Sequence, residues 1–356
     1  MRATSSAVNR SNAGTIEAAA PGLSLIDRGL VRAQAAARTA FYTAVGTTAW
    51  RLGLPFTDVE REYGRHAIRE AYELHVEMLE RPGMREVLRA VERQDLATLP
   101  VFATLIPFDV IRTLRKRQRG LARLPVRPDD AFPYPDYYLN DFHNQANGNL
   151  SLRAALTYDW HIRFLFMGAD KLMRQPAIDE VPRGDDLDVL DVACGTGTMA
   201  AQSWLQGRRH RAVGIDLSPH YLRVAKMFRG GYSDFIQMNA EHLAPEWTAR
   251  FDVVTCVWLF HELPPDAIER ATAEIARVLK PGGKLVFVEA AQASDVPEAR
   301  ATIEAIGKHF EDFFNEPYFA YYQQLDLKAL FARHGLEVDR SRRCYTSKTV
   351  VAFRRG

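Results

Sequence analysis

The chain has 356 residues, 47% of them hydrophobic, which is enough to bury a large core divided between two parts. Its 46 Lys and Arg nearly balance 44 Asp and Glu, leaving a formal charge of +2, so the molecule as a whole exerts no strong pull on nucleic acid or on an anionic membrane. No apolar run approaches the ~20 residues that cross a bilayer, and the three cysteines, Cys194, Cys256 and Cys344, show no paired metal spacing. These features predict a cytoplasmic protein without a metal.

Residues 1–22 are rich in Ser, Ala and Asn and lack the apolar centre of a secretory signal, so a flexible tail is expected. Residues 23–130 read as a helical cap or dimerisation domain, because Ala, Leu and Arg recur without strand alternation and Gly53-Leu54-Pro55 and Arg81-Pro82-Gly83 mark turns. Ala67, Ala71, Leu74 and Met78 form one apolar stripe, and Val87, Leu88 and Val91 begin another. The basic cluster Arg112, Arg115-Lys116-Arg117-Gln118-Arg119, Arg123 and Arg127 suits a solvated helix end. RNA or phosphate binding is the alternative, against which stands the lack of interleaved aromatic rings.

Residues 131–150 form a linker whose aromatic and amide side chains fit an acceptor pocket, with Tyr138, His143 and Asn147 as candidates; a packed linker accounts for the same composition. Ser151 is placed to cap a helix that carries Tyr158. The apolar run Leu187 to Val192 then leads into Asp191-Val192-Ala193-Cys194-Gly195-Thr196-Gly197-Thr198, where Gly195 and Gly197 let backbone approach a ligand between a strand and a helix expected over 199–206. Gly195-x-Gly197-x-x-Ala200 also satisfies the loose dinucleotide fingerprint. Asp216, closing the strand Ala212 to Ile215, is placed to accept both hydroxyls of a ribose, in NAD or in S-adenosylmethionine alike. Asp191 separates the two, since a carboxylate at the strand tip repels a pyrophosphate and attracts an amino-acid ammonium.

The acid followed by a small residue and Gly-x-Gly resembles the first motif of class I methyltransferases, with Ala193 where a glycine is more usual and therefore expected at negative φ. The resemblance continues downstream in order, from Tyr158 to Phe353. Gln237 to Glu241 corresponds to the stretch bordering the adenine, where Asn239, Ala240 or Glu241 meets the base and Leu217 covers the ring. Phe251 to Val257 reads as a fourth strand bearing Cys256, Trp258 to Pro264 as its exit loop, and Asp266 to Lys280 as a helix stopped by Pro281-Gly282-Gly283; the resemblance adds Cys256, and Tyr158 near the sulfonium, to the cofactor-binding candidates. Lys284 to Glu289 is the fifth strand, and Gly335 to Val338 with Thr349 to Phe353 form a closing hairpin. The implied fold is α/β, a seven-stranded, mostly parallel, doubly wound sheet over 151–356, preceded by the all-helical part.

Methyl transfer rests mainly on alignment and water exclusion, so no catalytic triad is required. A base is needed where the acceptor carries a proton, and His261 is the candidate, oriented by Glu262 or merely structural. Phe310, Tyr318 and Tyr322, in an aromatic insertion, are acceptor-site candidates together with His261. The resemblance implies transfer from S-adenosyl-L-methionine, leaving S-adenosyl-L-homocysteine, to an apolar or aromatic small molecule. It leaves open an RNA or protein methyltransferase, an NAD-dependent oxidoreductase and a non-catalytic cofactor-binding protein. A homodimer through the helical part is also expected; a membrane partner is not.

Overall fold

The computed structural model describes residues 24–51, 58–118, 126–145 and 147–356. Residues 1–22, the Gly53-Leu54-Pro55 turn, and Arg119 and Arg123 lie outside them.

Four helices come first, as the spacing of Ala and Leu predicts: α1 (Leu25–Arg51), α2 (Asp58–Glu80), α3 (Met84–Leu96) and α4 (Leu99–Gln118). Both expected stripes, Ala67 to Met78 on α2 and Val87 to Val91 on α3, are the buried faces. This core does not close on itself, because Leu172, Met173, Leu205, Cys344 and Tyr345 from the following sequence belong to it. Residues 131–150 then make two 3₁₀ turns, Asp136–Tyr138 and Phe142–Asn144. Helix α5 (Leu152–Leu165) starts where Ser151 Oγ accepts the Ala154 N–H at 3.0 Å, and α6 (Gln175–Glu180) follows.

Strands and helices then alternate: β1 (Asp188–Val192), α7 (Thr198–Leu205), β2 (Arg211–Asp216), α8 (Pro219–Phe228), β3 (Asp234–Gln237), β4 (Phe251–Val257), α9 (Pro265–Val278) and β5 (Leu279–Ala290). An insertion of α10 (Arg300–His309), a π turn at Phe310–Phe314, α11 (Phe319–Gln324) and α12 (Leu327–Arg333) precedes the hairpin β6 (Leu336–Cys344) and β7 (Ser347–Arg354). The strands form one 7-stranded sheet in the order β3-β2-β1-β4-β5-β7-β6. The first four neighbouring pairs are parallel, and the hairpin adds the antiparallel ones. Strand order reverses between β1 and β4, and the crevice beyond their carboxyl ends is where such sheets take ligands.

Two local expectations change. Helix α9 stops at Val278 rather than Lys280, because Leu279 pairs with Phe251 and a bulge intervenes before Val253 meets Lys284. Ala193, expected at negative φ, sits at φ 55. The loop must turn left-handed at that point to deliver Gly195, and an L-residue there is strained by roughly 1–2 kcal/mol. Ala193→Gly removes this strain at the cost of a more flexible unfolded chain, so a net gain of about 0.5–1 kcal/mol is expected in denaturant melts.

Candidate active site

A cleft with a volume of about 90 Å³ opens at the carboxyl ends of β1, β2 and β4. The β1 loop contributes Ala193 and Gly195, and β2 with its exit contributes Ile215, Asp216 and Leu217. Met238, Asn239 and Ala240 follow β3, and Val257, Trp258, Leu259, Glu262 and Leu263 end or follow β4. The remaining wall is Tyr137, Tyr138 and Asn149 from the linker, Tyr158 of α5 and Tyr221 of α8. No described residue of α1–α4 lines it, whereas the linker contributes three.

Asp216 is built to hold a diol. Its Oδ2 accepts the Gly195 N–H at 2.9 Å and its Oδ1 accepts the Ser218 N–H at 2.8 Å, which fixes the carboxylate and leaves lone pairs toward the cavity. Burial raises its pKa to about 6 against the opposing pull of those two N–H groups. Because this is an acid whose folded pKa is raised, the free protein gains stability from it in acid and loses that gain as pH climbs through about 6. Donor binding, which uses the ionised form, has the opposite dependence. Asp216→Asn is therefore expected to leave the melting temperature of the free protein within a few degrees while weakening S-adenosylhomocysteine about ten- to a hundredfold in calorimetry, as loss of a charge-assisted bond implies. The wild-type affinity should fall on acidification below pH ~6.

Asp191 lies behind the wall rather than in it. It is 1% exposed, and its carboxylate accepts from the Tyr232 hydroxyl and from Thr255 Oγ1 at 2.7 Å. Burial pushes its pKa to about 6 in spite of these bonds. Direct pairing with a ligand ammonium, the basis for placing it at the cofactor, is not what this geometry offers: its oxygens are tied to Tyr232, after α8, and to Thr255 of β4. Gly197, at φ 78, caps α7 and packs against Ala225, where any Cβ would crowd. Trp258 holds φ 56 at the cavity rim, an uncommon geometry for a bulky residue. Its indole N–H donates to Ser347 Oγ at 3.1 Å, and the Arg174 guanidinium lies 4.2 Å over the ring.

Other candidates occupy supporting positions. Cys256 is fully buried in the sheet core, where burial pushes its thiol pKa well up. Glu241 accepts from Tyr137 Oη at 2.6 Å and from Arg270, so its carboxylate ties the linker to α9. Asn239, in the wall, has its Oδ1 taken by the Glu241 N–H. Asn147 serves the backbone of Arg127 and Leu150, and Tyr322 donates to Ala290 O at 2.6 Å, so both are fold-building rather than cavity-facing. Phe310 stacks on Phe319 at 4.8 Å, and Tyr318 meets Tyr137 edge-on. The insertion thus forms the layer behind His261, whose ring meets Phe319 at 5.5 Å.

His261 stands one layer behind Leu259, Glu262 and Leu263. Its Nδ1 lies 2.8 Å from Glu289 Oε2, at the end of β5, and its Nε2 lies 3.9 Å from Glu316 Oε2. Burial alone would lower its pKa, but Glu289, with Glu316 and Glu262, outweighs burial and holds it at about 10. Sequence spacing did not flag Glu289 or Glu316, which come from β5 and the insertion and meet His261 only in three dimensions. Tyr221 was likewise missed, although the Ser218-Pro219 helix start was the available signal that its ring belongs to a cavity-facing first turn.

Residues 189–283 match the family model described as a methyltransferase domain. The ubiquinone biosynthesis O-methyltransferase of Xanthomonas oryzae pv. oryzae is 42% identical over 101 residues, 27% of this chain and 40% of that protein. That of Pseudoalteromonas translucida is 38% identical over 106 residues, 29% of this chain and 43% of the relative. The chain thus matches about two fifths of the length of these curated relatives. A crystal structure of a SAM-dependent methyltransferase from Methanosarcina mazei covers 51% of this chain and 97% of its own, at 22% identity and TM-score 0.39. From β1 into β5, the glycine loop and the acid-ended second strand lie within the segment that matches the methyltransferase-domain family model.

Proposed function

We propose that the protein transfers a methyl group from S-adenosylmethionine to a hydroxyl of an apolar or aromatic small molecule. The observation that carries this reading is the cavity itself, with Asp216 and Gly195 on one wall and the His261–Glu289 pair behind the other. When bound, S-adenosylmethionine supplies an electrophilic methyl on a sulfonium. Asp216 would hold its ribose, Asn239, Ala240 and Leu217 its adenine, and Ala193, Gly195 and Tyr158 the remainder. The donor set fits such a group, since a wall bearing the Asp216 and Glu262 carboxyl groups suits a cation.

The chain's own chemistry is alignment and proton handling. Tyr137, Tyr138, Trp258 and Leu259 exclude water and offer flat apolar surface to the acceptor. The neutral form of His261 would take the hydroxyl proton on Nε2 where the acceptor reaches past Leu259 and Glu262, with Glu289 on Nδ1 stabilising the resulting imidazolium. The curated relatives' O-methyltransferase names support oxygen as the attacked atom.

Incubation with methyl-tritiated S-adenosylmethionine and a nuclease-treated metabolite extract should label a small molecule. Label confined to RNA or protein would reverse the acceptor class, and donor binding without any labelled product would favour a cofactor-binding protein. In a thermal-shift comparison S-adenosylhomocysteine should raise the melting temperature and NAD should not. Among the described residues no helix is long and apolar enough to cross a membrane. A cytoplasmic setting is our reading of that and of three buried free cysteines. Ile26, Leu30 and Phe41 on α1 are 77%, 59% and 58% exposed, which supports a homodimer through the helical part, testable by light scattering.

A further inference from the structure

A second histidine reaches the same carboxylate as His261. His143, from the linker, has Nε2 at 3.2 Å from Glu316 Oε1 and 3.4 Å from Glu262 Oε1. Glu316 Oε2 is buried, 3.9 Å from His261 Nε2, and has no hydrogen-bond partner among the described residues. Glu316 therefore stands between two imidazoles, with one oxygen committed to His143 and the other toward the base. His143 is held at φ 55, in the left-handed region that histidine tolerates better than most residues with a Cβ.

We infer that His143 is a positioning residue that sets the proton affinity of His261 by competing with it for the Glu316 carboxylate. A buried carboxylate stabilises a proton on whichever ring it faces, and its full charge is not available to both at once. When His143 is charged it draws Glu316 away and adds like-charge repulsion, so His261 gives up its Nε2 proton more readily. Without His143, Glu289 and Glu316 together would hold the proton on His261 more tightly still, so its neutral, proton-accepting form would be rarer at any given pH.

The groups facing each ring are few. His261 meets Glu289 from β5, Glu262 from its own turn, Glu316 and His143, with Phe319 and Tyr322 as its aromatic neighbours. His143 meets Glu262, Glu316 and His261, and on the α5 side Tyr158 at 6.4 Å and His161.

The inference rests on the base reading of His261, and the test separates the two. In the full chain bound to S-adenosylhomocysteine, ¹⁵N NMR of the imidazoles follows each ring with pH. His143→Asn is the informative variant, since asparagine tolerates the left-handed backbone. It should move the His261 titration at least one unit upward. Glu316→Gln should move it downward, and adding His143→Asn to that variant should then change little, because the shared group is gone. An unmoved His261 titration in His143→Asn, or equal shifts with and without Glu316, would overturn the inference while leaving the base reading intact. Full methylation by a His261→Ala enzyme would instead remove the base reading, whatever the titrations show.

Discussion

Replacing His261 by alanine should lower the rate of methyl transfer by about 10²–10⁴-fold, the usual worth of a positioned base. S-adenosylhomocysteine affinity should change by less than about threefold, because His261 lies behind the cavity wall and not in it. Its pKa gives the prediction a second arm. Burial lowers and the three glutamates raise that value, with a net position of about 10. At neutral pH the ring is thus charged, and the neutral form grows about tenfold per pH unit until that value is reached. The wild-type rate should climb with pH from 7 upward, whereas the variant should retain only the acceptor's own ionisation. The same raised value favours the folded state below the ordinary histidine pKa of ~6.5, a contribution lost as pH rises toward 10. Tritium transfer to the labelled metabolite, followed from pH 6 to 9.5, checks both arms; an unchanged rate at every pH excludes the base role.

Asp95→Ala should destabilise the protein by about 3–5 kcal/mol, the typical cost of breaking a buried ion network by removing one partner. Asp95, at the end of α3, accepts from Arg163 of α5 and Arg229 beyond α8, and lies 3.5 Å from Lys171. Asp159 bonds Arg229 at 2.9 Å and Lys171 at 3.2 Å, and Asp170 sits 3.2 Å from Lys171. Every one of these side chains is at most 7% exposed, so the stranded guanidinium groups would have no water to replace their carboxylate. A fall in melting temperature on the order of 10 °C should follow. Donor affinity should drop as well, because Asp159 also accepts from Thr198 Oγ1 at 3.2 Å, at the start of α7. The network thus ties the helical part to the glycine loop. A loss below 1 kcal/mol would show that the charges relax independently.

The α/β half was legible because its signals are local. Buried strands read as continuous Val, Ile and Leu runs, Gly195 and Gly197 mark a turn only glycine makes easily, and Ser151 caps α5 as its type suggests. Ala193 ran against expectation because the β1–α7 connection, not the residue's own preference, dictates its φ. Cys256 and Tyr322 looked cavity-facing by position, but strand alternation and helix rotation turn them into the core, an outcome a one-residue difference reverses. Glu241 and Asp191 were placed against the ligand from spacing alone, whereas Tyr137, Arg270, Tyr232 and Thr255, distant in the chain, occupy their oxygens.

Sequence alone determined the strand order's building blocks, the glycine loop and the acid-ended second strand, since each depends on backbone geometry and neighbours within a few positions. Tertiary structure decided which carboxylates face the cavity, that among the described residues the linker and not α1–α4 lines it, and that Glu289, Glu316 and His143 gather around His261. Those outcomes depend on contacts between segments over a hundred residues apart, and charge, burial and hydrogen-bond competition at such contacts have no signature in the order of the residues.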